Sequence, residues 1–449
     1  MNWIVRTLLS GVAVVFVLVS GATAQHEQHG VTNAESQQSH SVQHSMLDLG
    51  RGWMAVGMAQ GIPVMSVPLP RERGTPLEAG AFYFTQPALM FNIEAPASRF
   101  ALRTTLNFEG LTIGNGEMTF GGWGEGFIDK RHPHTLLHEA MLSWNVLRGD
   151  GRGFSISAGK GFAPYGTDDP MARPVLKYPT NHHLSQVLER WTLNGVVATT
   201  GWSFEAGLFG GGEPDGPYDF SNIESFGDSW SARLTRRIGS GAMGSWPWEL
   251  SASFASVQET HDNESQVTRL YNVAVRHEQA HGFGRLYALL EASRSDPEHH
   301  AGYYSVAGET LVRAGRHMPY ARVEVATRPE FAREGAGGDS GFFRYDHDAA
   351  AIGSTRWLIA SAGYGFVVTN SRLSVRPFVE AQFNRVKKHE GNIAPESLFG
   401  RSRFWTLSMG ARVFLGGEPM RMGAYGVLDP MTAMHRMQMV AQSSGEHRH

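Results

Sequence analysis

The residues best suited to chemistry stand between positions 129 and 139. Asp129-Lys130-Arg131-His132-Pro133-His134 runs on into Thr135-Leu136-Leu137-His138-Glu139. In an extended chain alternate side chains point the same way, so His132 and His134 project to one side. Imidazole and carboxylate together suit Zn²⁺ or Cu²⁺, which makes Asp129, His132, His134, His138 and Glu139 candidate ligands. The spacing is not the His-Glu-x-x-His of helical metalloproteases, and Pro133 blocks a helix through the site. The alternative is a structural network in which acids hold the imidazoles by hydrogen bonds. His182-His183, near Glu189 and Arg190, forms a second patch of this kind. It lies in segment 164–189, too long for a simple turn, which reads as a loop folded inward.

The two tails carry softer ligands. Residues 25–50 are polar and hold His26, His29, His40 and His44. Residues 416–449 hold Met420, Met422, Met431, Met434, Met437 and Met439, with His435, His447 and His449. Thioether and imidazole suit copper, Cu(I) above all. Met431, Met434 and His435 share one face if residues 428–440 are helical. The competing readings are a methionine packing stripe and a disordered polar leader. Copper or another divalent metal is the only cofactor these patterns suggest. A hydrolase would need a nucleophile and base in a pattern such as Gly-x-Ser-x-Gly. None is present, and the expectation is that the chain is not an enzyme.

These groups must be held by some scaffold. One positive charge at Arg6, an apolar run from Leu8 to Val19 and Ala22-Thr23-Ala24 make the three-part plan of a secretory signal over residues 1–24. No other run nears the roughly 20 apolar residues of a spanning helix, so any further membrane crossing falls to strands. The chain has no cysteine, which excludes disulfides and thiolate sites. A net charge of −3 argues against a nucleic-acid partner.

Alternation supplies the strands. Trp405, Leu407, Met409, Ala411, Val413 and Leu415 fall on one face, and Thr406, Ser408, Gly410 and Arg412 on the other. Segments 372–384, 319–328 and 99–108 repeat the pattern, and weaker ones fill 51–66 and the stretches from 81 to 368. Such segments have the length of tilted membrane strands. The expected fold is all-β: a single antiparallel transmembrane β-barrel of about 14–16 strands over residues 51–415. A polar leader at 25–50 and a disordered or partly helical Met/His-rich tail at 416–449 flank it. A soluble β-sandwich would show the same alternation as core against water; the number of segments and the aromatics near strand ends favour the barrel.

In that barrel Arg103, Arg233, Arg322, Glu324, Arg328, Arg372, Arg376, Glu380 and Arg412 fall on the lumen phase. Rings of such charge set selectivity in pores, and the arginine excess leans toward anions.

The Asp129-x-x-His132-Pro133-His134 motif resembles the Asp-Arg-Gln-His-Pro-His of a family of uncharacterised exported β-barrel proteins. Gly159 with Pro164, Pro179 to His183, Glu205-Ala206-Gly207-x-Phe209-x-Gly211-x-Glu213-Pro214 and Asp228-Ser229-Trp230-Ser231-Ala232-Arg233-Leu234 resemble its later motifs in order. The matches cover about residues 120–260. Lys130-Arg131 and Gly212 depart from the pattern. The resemblance implies a porin-like barrel, often in heavy-metal-resistance settings, with no assigned reaction. The functions expected are a porin-like channel for small solutes, with a link to metal handling. The alternatives are a non-conducting metal-binding outer-membrane protein and, third, an outer-membrane hydrolase. Membrane lipid and small solutes or metal ions are the expected partners.

Overall fold

A backbone inside hydrocarbon must satisfy every N–H and C=O within the protein, which leaves only helices and closed barrels. The computed structural model describes residues 47–75, 77–78, 80–112, 135–148, 152–175, 184–187, 189–212, 214, 218, 223, 225–239, 247–261, 264–298, 302–330, 333–334, 344–345, 353–370, 372–391, 394–417 and 420–435. No described helix is long and apolar enough to cross a membrane. Sixteen antiparallel strands close on themselves instead.

The strands are β1 Trp53–Leu69, β2 Ala81–Glu94, β3 Phe100–Asn107, β4 Leu137–Leu147, β5 Gly153–Gly161, β6 Arg190–Thr199, β7 Trp202–Phe209 and β8 Ser229–Ile238. They continue as β9 Trp248–His261, β10 Glu264–His281, β11 Gly284–Pro297, β12 Tyr303–Arg313, β13 His317–Glu330, β14 Gly353–Phe366, β15 Leu373–Gly391 and β16 Arg403–Leu415. Each pairs with its sequence neighbours, and β16 pairs back onto β1 from Ala59↔Leu415 to Leu69↔Trp405. No sheet edge is left in the ring, so no row of backbone groups faces lipid unpaired. The alternating segments read from the sequence each fall on one of these strands.

Alternation sorts the side chains. On β4, Leu142, Trp144 and Val146 are exposed, whereas Met141, Ser143 and Asn145 between them are buried. On β7, Trp202, Phe204 and Leu208 face out and Ser203 and Glu205 face in. On β16, Trp405, Leu407 and Met409 face out, and Thr406, Ser408 and Arg412 face in. An exposed apolar surface repeated around a whole ring far exceeds the patches a water-soluble monomer tolerates. Polar groups predominate inside and apolar groups outside, the reverse of a soluble barrel. The chain is an outer-membrane β-barrel.

The two rims differ. Segments 95–99, 148–152, 200–201, 282–283 and 314–316 are short turns at one rim. The strand ends at the other rim are joined by long connections, 108–136, 162–189, 210–228 and 331–352. Short turns mark the periplasmic side of such barrels and long loops the outer side. Val379 of β15 is 54% exposed on the lipid face. Val379→Arg places a charge there and is expected to cost about 2–4 kcal/mol if the site lies near the bilayer midplane. Urea unfolding in lipid vesicles, read with heat-modifiable migration, checks this; an unchanged midpoint would contradict the assigned face.

Candidate functional site

A local irregularity positions the first groups. The β3–β4 register shifts between Thr105 and Leu106, so Thr105 pairs with Glu139 and Leu106 with Leu137. His138 is the extra residue of this bulge, and bulges re-aim side chains. As a result two consecutive residues, His138 and Glu139, are both buried at the lumen face. Opposite them Gly159 has φ 145°, and a Cβ there would sit 2.0 Å from the Ala140 carbonyl oxygen. Only glycine fits so close to the bulged strand.

The carboxylate that receives His138 comes from the loop. Glu189 lies at φ 59° and accepts the Thr135 backbone N–H at 2.7 Å, with His138 Nδ1 at 2.6 Å. Glu139 accepts from Thr105 at 2.7 Å and from the Tyr425 hydroxyl at 2.8 Å, with Arg103 Nε at 3.4 Å. His138 and Glu139 are thus held by hydrogen bonds and ion pairs. Among the described residues no group of three or more His, Asp or Glu is arranged to hold a metal. Asp129, His132, His134, His182 and His183 lie outside the described residues.

The loop between β5 and β6 folds into the lumen. Phe162 O accepts from Asn194 of β6 at 2.9 Å. Gly166 N–H donates to Ser253 of β9 at 2.8 Å. Thr167 donates to Glu291 of β11 at 2.8 Å, and Arg173 pairs with the same carboxylate at 3.1 Å. Arg412 of β16 donates to the carbonyl oxygens of Arg173 and Pro174 at 3.0 and 2.8 Å. These anchors carry the loop from β6 across to β16.

The C-terminal segment is the larger departure from expectation. It is not a disordered tail outside the barrel: residues 420–435 lie in the lumen. Arg421 takes Glu249 of β9 in a bidentate grip at 3.0 and 2.7 Å and reaches Asp168 of the inward loop at 2.7 Å. Asp168 also pairs with Arg276 of β10. Gly423 O accepts from Arg233 at 2.7 Å, while Arg233 holds Glu205 at 2.8 and 2.7 Å. The Tyr425 hydroxyl oxygen accepts the Phe162 N–H at 3.0 Å as it donates to Glu139. Asp429 lies 3.4 Å from Arg103. His435 Nδ1 is 2.8 Å from Glu94, and Thr432 donates to the other oxygen of that carboxylate at 2.6 Å.

The methionines pack. Met420, Met422 and Met431 are buried in one cluster with Met141, Phe162 and Met171, and Met434 packs against its edge. The expected helical turn is present from residue 430 to 435. Met431 and Met434 turn to the apolar cluster, whereas His435 turns to Glu94.

The other lumen candidates divide. Arg322 pairs with Glu324 at 3.1 Å and Arg328 with Glu330 at 3.2 Å, each two residues apart on the inner face of β13. Arg376 and Arg412 are direct register partners on β15 and β16 and bracket the Phe414 ring at 5.0 and 5.1 Å. Glu380 is buried on the inner face of β15. Arg372 lies in the turn before β15 and is exposed; the alternation phase ran one residue past the end of the strand. Glu94, Glu205, Glu249, Glu309 and Glu330 are inward acids that the sequence reading passed over. Strand alternation marks Glu205 and Glu249, but nothing in the sequence marks Arg421, Tyr425 and Asp429 as their partners' neighbours. With these acids counted, the wall as a whole is not rich in cations. The positive pair at Arg376 and Arg412 is local.

Two tail and loop acids titrate in opposite senses. Burial pushes Asp168 up, but Arg276 and Arg421 outweigh it and hold the carboxyl below its usual range. Burial also pushes Asp429 up, and there Arg103 recovers only part, leaving it above its ordinary value. Asp168 therefore contributes stability above the usual carboxylate pKa of about 4, and that contribution is lost as pH falls through its depressed value. Asp429 has the reverse sign: its ionisation at neutral pH is a cost that protonation relieves. Arg421 keeps about a third of its side chain in solvent (35%), so Arg421→Ala is expected to cost about 1–3 kcal/mol, less than a fully buried pair. Asp429→Asn keeps an acceptor for the Met431 N–H and is expected to cost under about 1 kcal/mol. Guanidinium unfolding of both variants at pH 7 checks the order, and an equal loss would remove the assigned asymmetry.

No family model and no curated protein matches the chain. Solved structures do resemble it. OmpT, an outer membrane protein of Vibrio cholerae, is 10% identical over 82% of this chain and 99% of its own, with a TM-score of 0.46. Salmonella typhi OmpF, in complex with daunomycin, is 11% identical over 82% of this chain and 100% of its own, at 0.46. An anion-selective porin from Comamonas acidovorans is 10% identical over 81% and 99%, at 0.43. The closed ladder and the apolar outer wall, rather than these likenesses, carry the outer-membrane assignment.

Proposed function

We propose that the chain is a porin-like outer-membrane channel for small solutes. The observation that carries this is the closed sixteen-strand ring, with an apolar wall toward lipid and paired charges toward the lumen. Sixteen to eighteen strands enclose an aqueous channel in porins. A loop folded inward from the outer rim narrows this one, and it runs between acids at Glu249 and Glu291 and the arginine pair at Arg376 and Arg412. Glu249 and Glu291 are paired with Arg237, Arg421 and Arg173, whereas Arg376 and Arg412 lie side by side with like charge, and charge along a narrow passage sorts solutes. The Arg376–Arg412 pair supports a preference for anions on that side.

A second reading has one observation in its favour. The lumen holds both the inward loop and residues 420–435, and the space left beside Asp168, Arg173, Glu249 and Arg276 is small. A barrel filled in this way fits a non-conducting role. Metal handling would need ligands from the 129–134 and 182–183 segments.

Planar-bilayer recording of the refolded protein separates these readings. A channel shows discrete steps, and in a salt gradient Arg376→Ala is expected to shift the reversal potential toward cations. Steps with an unchanged reversal potential would remove Arg376 from selectivity. A barrel that migrates as folded and never conducts, with or without its C-terminal segment, would leave the non-conducting reading.

A further inference from the structure

The path of residues 420–435 is re-entrant. The segment follows Leu415, which pairs with Leu373 and Ala59 at the short-turn rim. Its Tyr425 hydroxyl reaches Glu139 and Phe162, next to the outer ends of β4 and β5. Val427 then packs with Val196 and Ala198 toward the short-turn end again. His435 lies against Glu94 and Ser98, at the 95–99 turn of the rim where the segment began. A segment whose described ends both lie toward one rim can withdraw without threading through the barrel.

The wall does not need it. Among the described residues, none of 420–435 joins the strand ladder, and β16 is paired on both sides by β15 and β1. Every wall or loop group that it touches through a charge also has a partner of its own. Arg103 has Glu139, Arg233 has Glu205, Glu249 has Arg237, Asp168 has Arg276, and Glu94 has Ser98. Withdrawal therefore leaves only Glu94, which keeps the Ser98 hydroxyl, without a counter-charge, and stranding a buried charge is the event that makes breaking an ion pair expensive. On the segment itself Arg421, Asp429 and His435 are groups that water solvates well. Its apolar anchors Met420, Met422 and Met431 are unbranched and repack readily.

We infer that residues 420–435 form a removable plug, inserted from the short-turn rim, that obstructs the lumen in this state. Its withdrawal opens a path along β3 to β10 lined by the pairs Arg103–Glu139, Arg233–Glu205 and Arg237–Glu249. The plug rests on the channel reading above and adds to it a segment that sets when the channel conducts. Two discrete arrangements, docked and withdrawn, differ by the polar contacts and methionine packing described above, and removing some of those contacts raises the population of the withdrawn one.

The chain offers a direct test because it has no cysteine of its own. A Cβ built on Gly153 would lie 3.3 Å from Cβ of Val427, close to the spacing of about 3.5–4.5 Å in disulfides. Four proteins are refolded into planar bilayers, each checked for heat-modifiable migration. They are the parent, the loosened variant Arg421→Ala with Tyr425→Phe, the same variant carrying Gly153→Cys and Val427→Cys, and a deletion of 418–449. The loosened variant and the deletion are expected to raise open probability at least about tenfold, because losing charge-assisted hydrogen bonds shifts a two-state balance by that much. Oxidation of the cysteine pair should return the loosened variant to the parent level, and dithiothreitol should reverse the effect. Equal conductance in all four proteins, or conductance indifferent to the disulfide, overturns the plug and leaves the channel standing. An intact deletion barrel that never conducts overturns the channel reading and the plug with it.

Discussion

Hydrogen-bond closure of the backbone is the constraint on which everything else in this barrel depends. Inside hydrocarbon an unpaired N–H or C=O costs several kcal/mol, and one open edge would expose a whole row of them. The pairing of β16 onto β1 removes that edge. Once the ring is closed, period-two geometry leaves each side chain two destinations. Apolar groups go to lipid, except where the inward loop and residues 420–435 bring apolar partners to the wall. Polar groups go inward because lipid offers them no partner.

Closure also creates a problem of space. A ring of sixteen strands is too wide for its own inward side chains to fill. Segments that belong to no strand therefore enter it. The loop after β5 is fastened by backbone and side-chain hydrogen bonds to β6, β9, β11 and β16. The segment after β16 is fastened mainly by charge, through Arg421 to Glu249 and Asp168 and through Asp429 and His435 to Arg103 and Glu94. The difference matters physically. The loop is tied at both ends to neighbouring strands and shares carboxylates with the wall, so its departure would leave Arg412 without its carbonyl acceptors. Glu94 apart, the charged groups that the C-terminal segment meets are already paired among themselves.

The lumen chemistry follows the same logic. Its arginines and glutamates are arranged as pairs or short chains: Arg233 with Glu205, Arg322 with Glu324, Arg328 with Glu330. Buried charge is tolerated only with such partners. The register pair Arg376 and Arg412 differs, since two guanidiniums there flank one aromatic ring, whose π face accepts cations, and Arg412 spends its donors on loop carbonyls. Glu249 and Glu291 are, by contrast, each held by arginines.

Strand positions and the in-out sense of Arg103, Arg233, Arg322, Glu324, Arg328, Arg376, Glu380 and Arg412 were legible in the sequence, because alternation is a local property of a chain whose two faces meet opposite solvents. Arg372 escaped the pattern at a strand end, where alternation gives way to turn geometry. His138 and Glu139 stood out as chemical residues, yet their shared orientation needed the β3–β4 bulge and the glycine opposite, a matter of register between strands. Nothing local placed residues 420–435 in the lumen. Their methionines read equally well as ligands or as packing, and their charges find partners at Asp168, Glu205, Glu249 and Arg103, far away in sequence and brought together only by the closed ring. The sequence by itself determined a barrel with a lipid-facing wall, since each strand carries that information in its own period. Only the tertiary structure decided what fills the barrel, since which charge meets which depends on where closure sets the strands around the lumen.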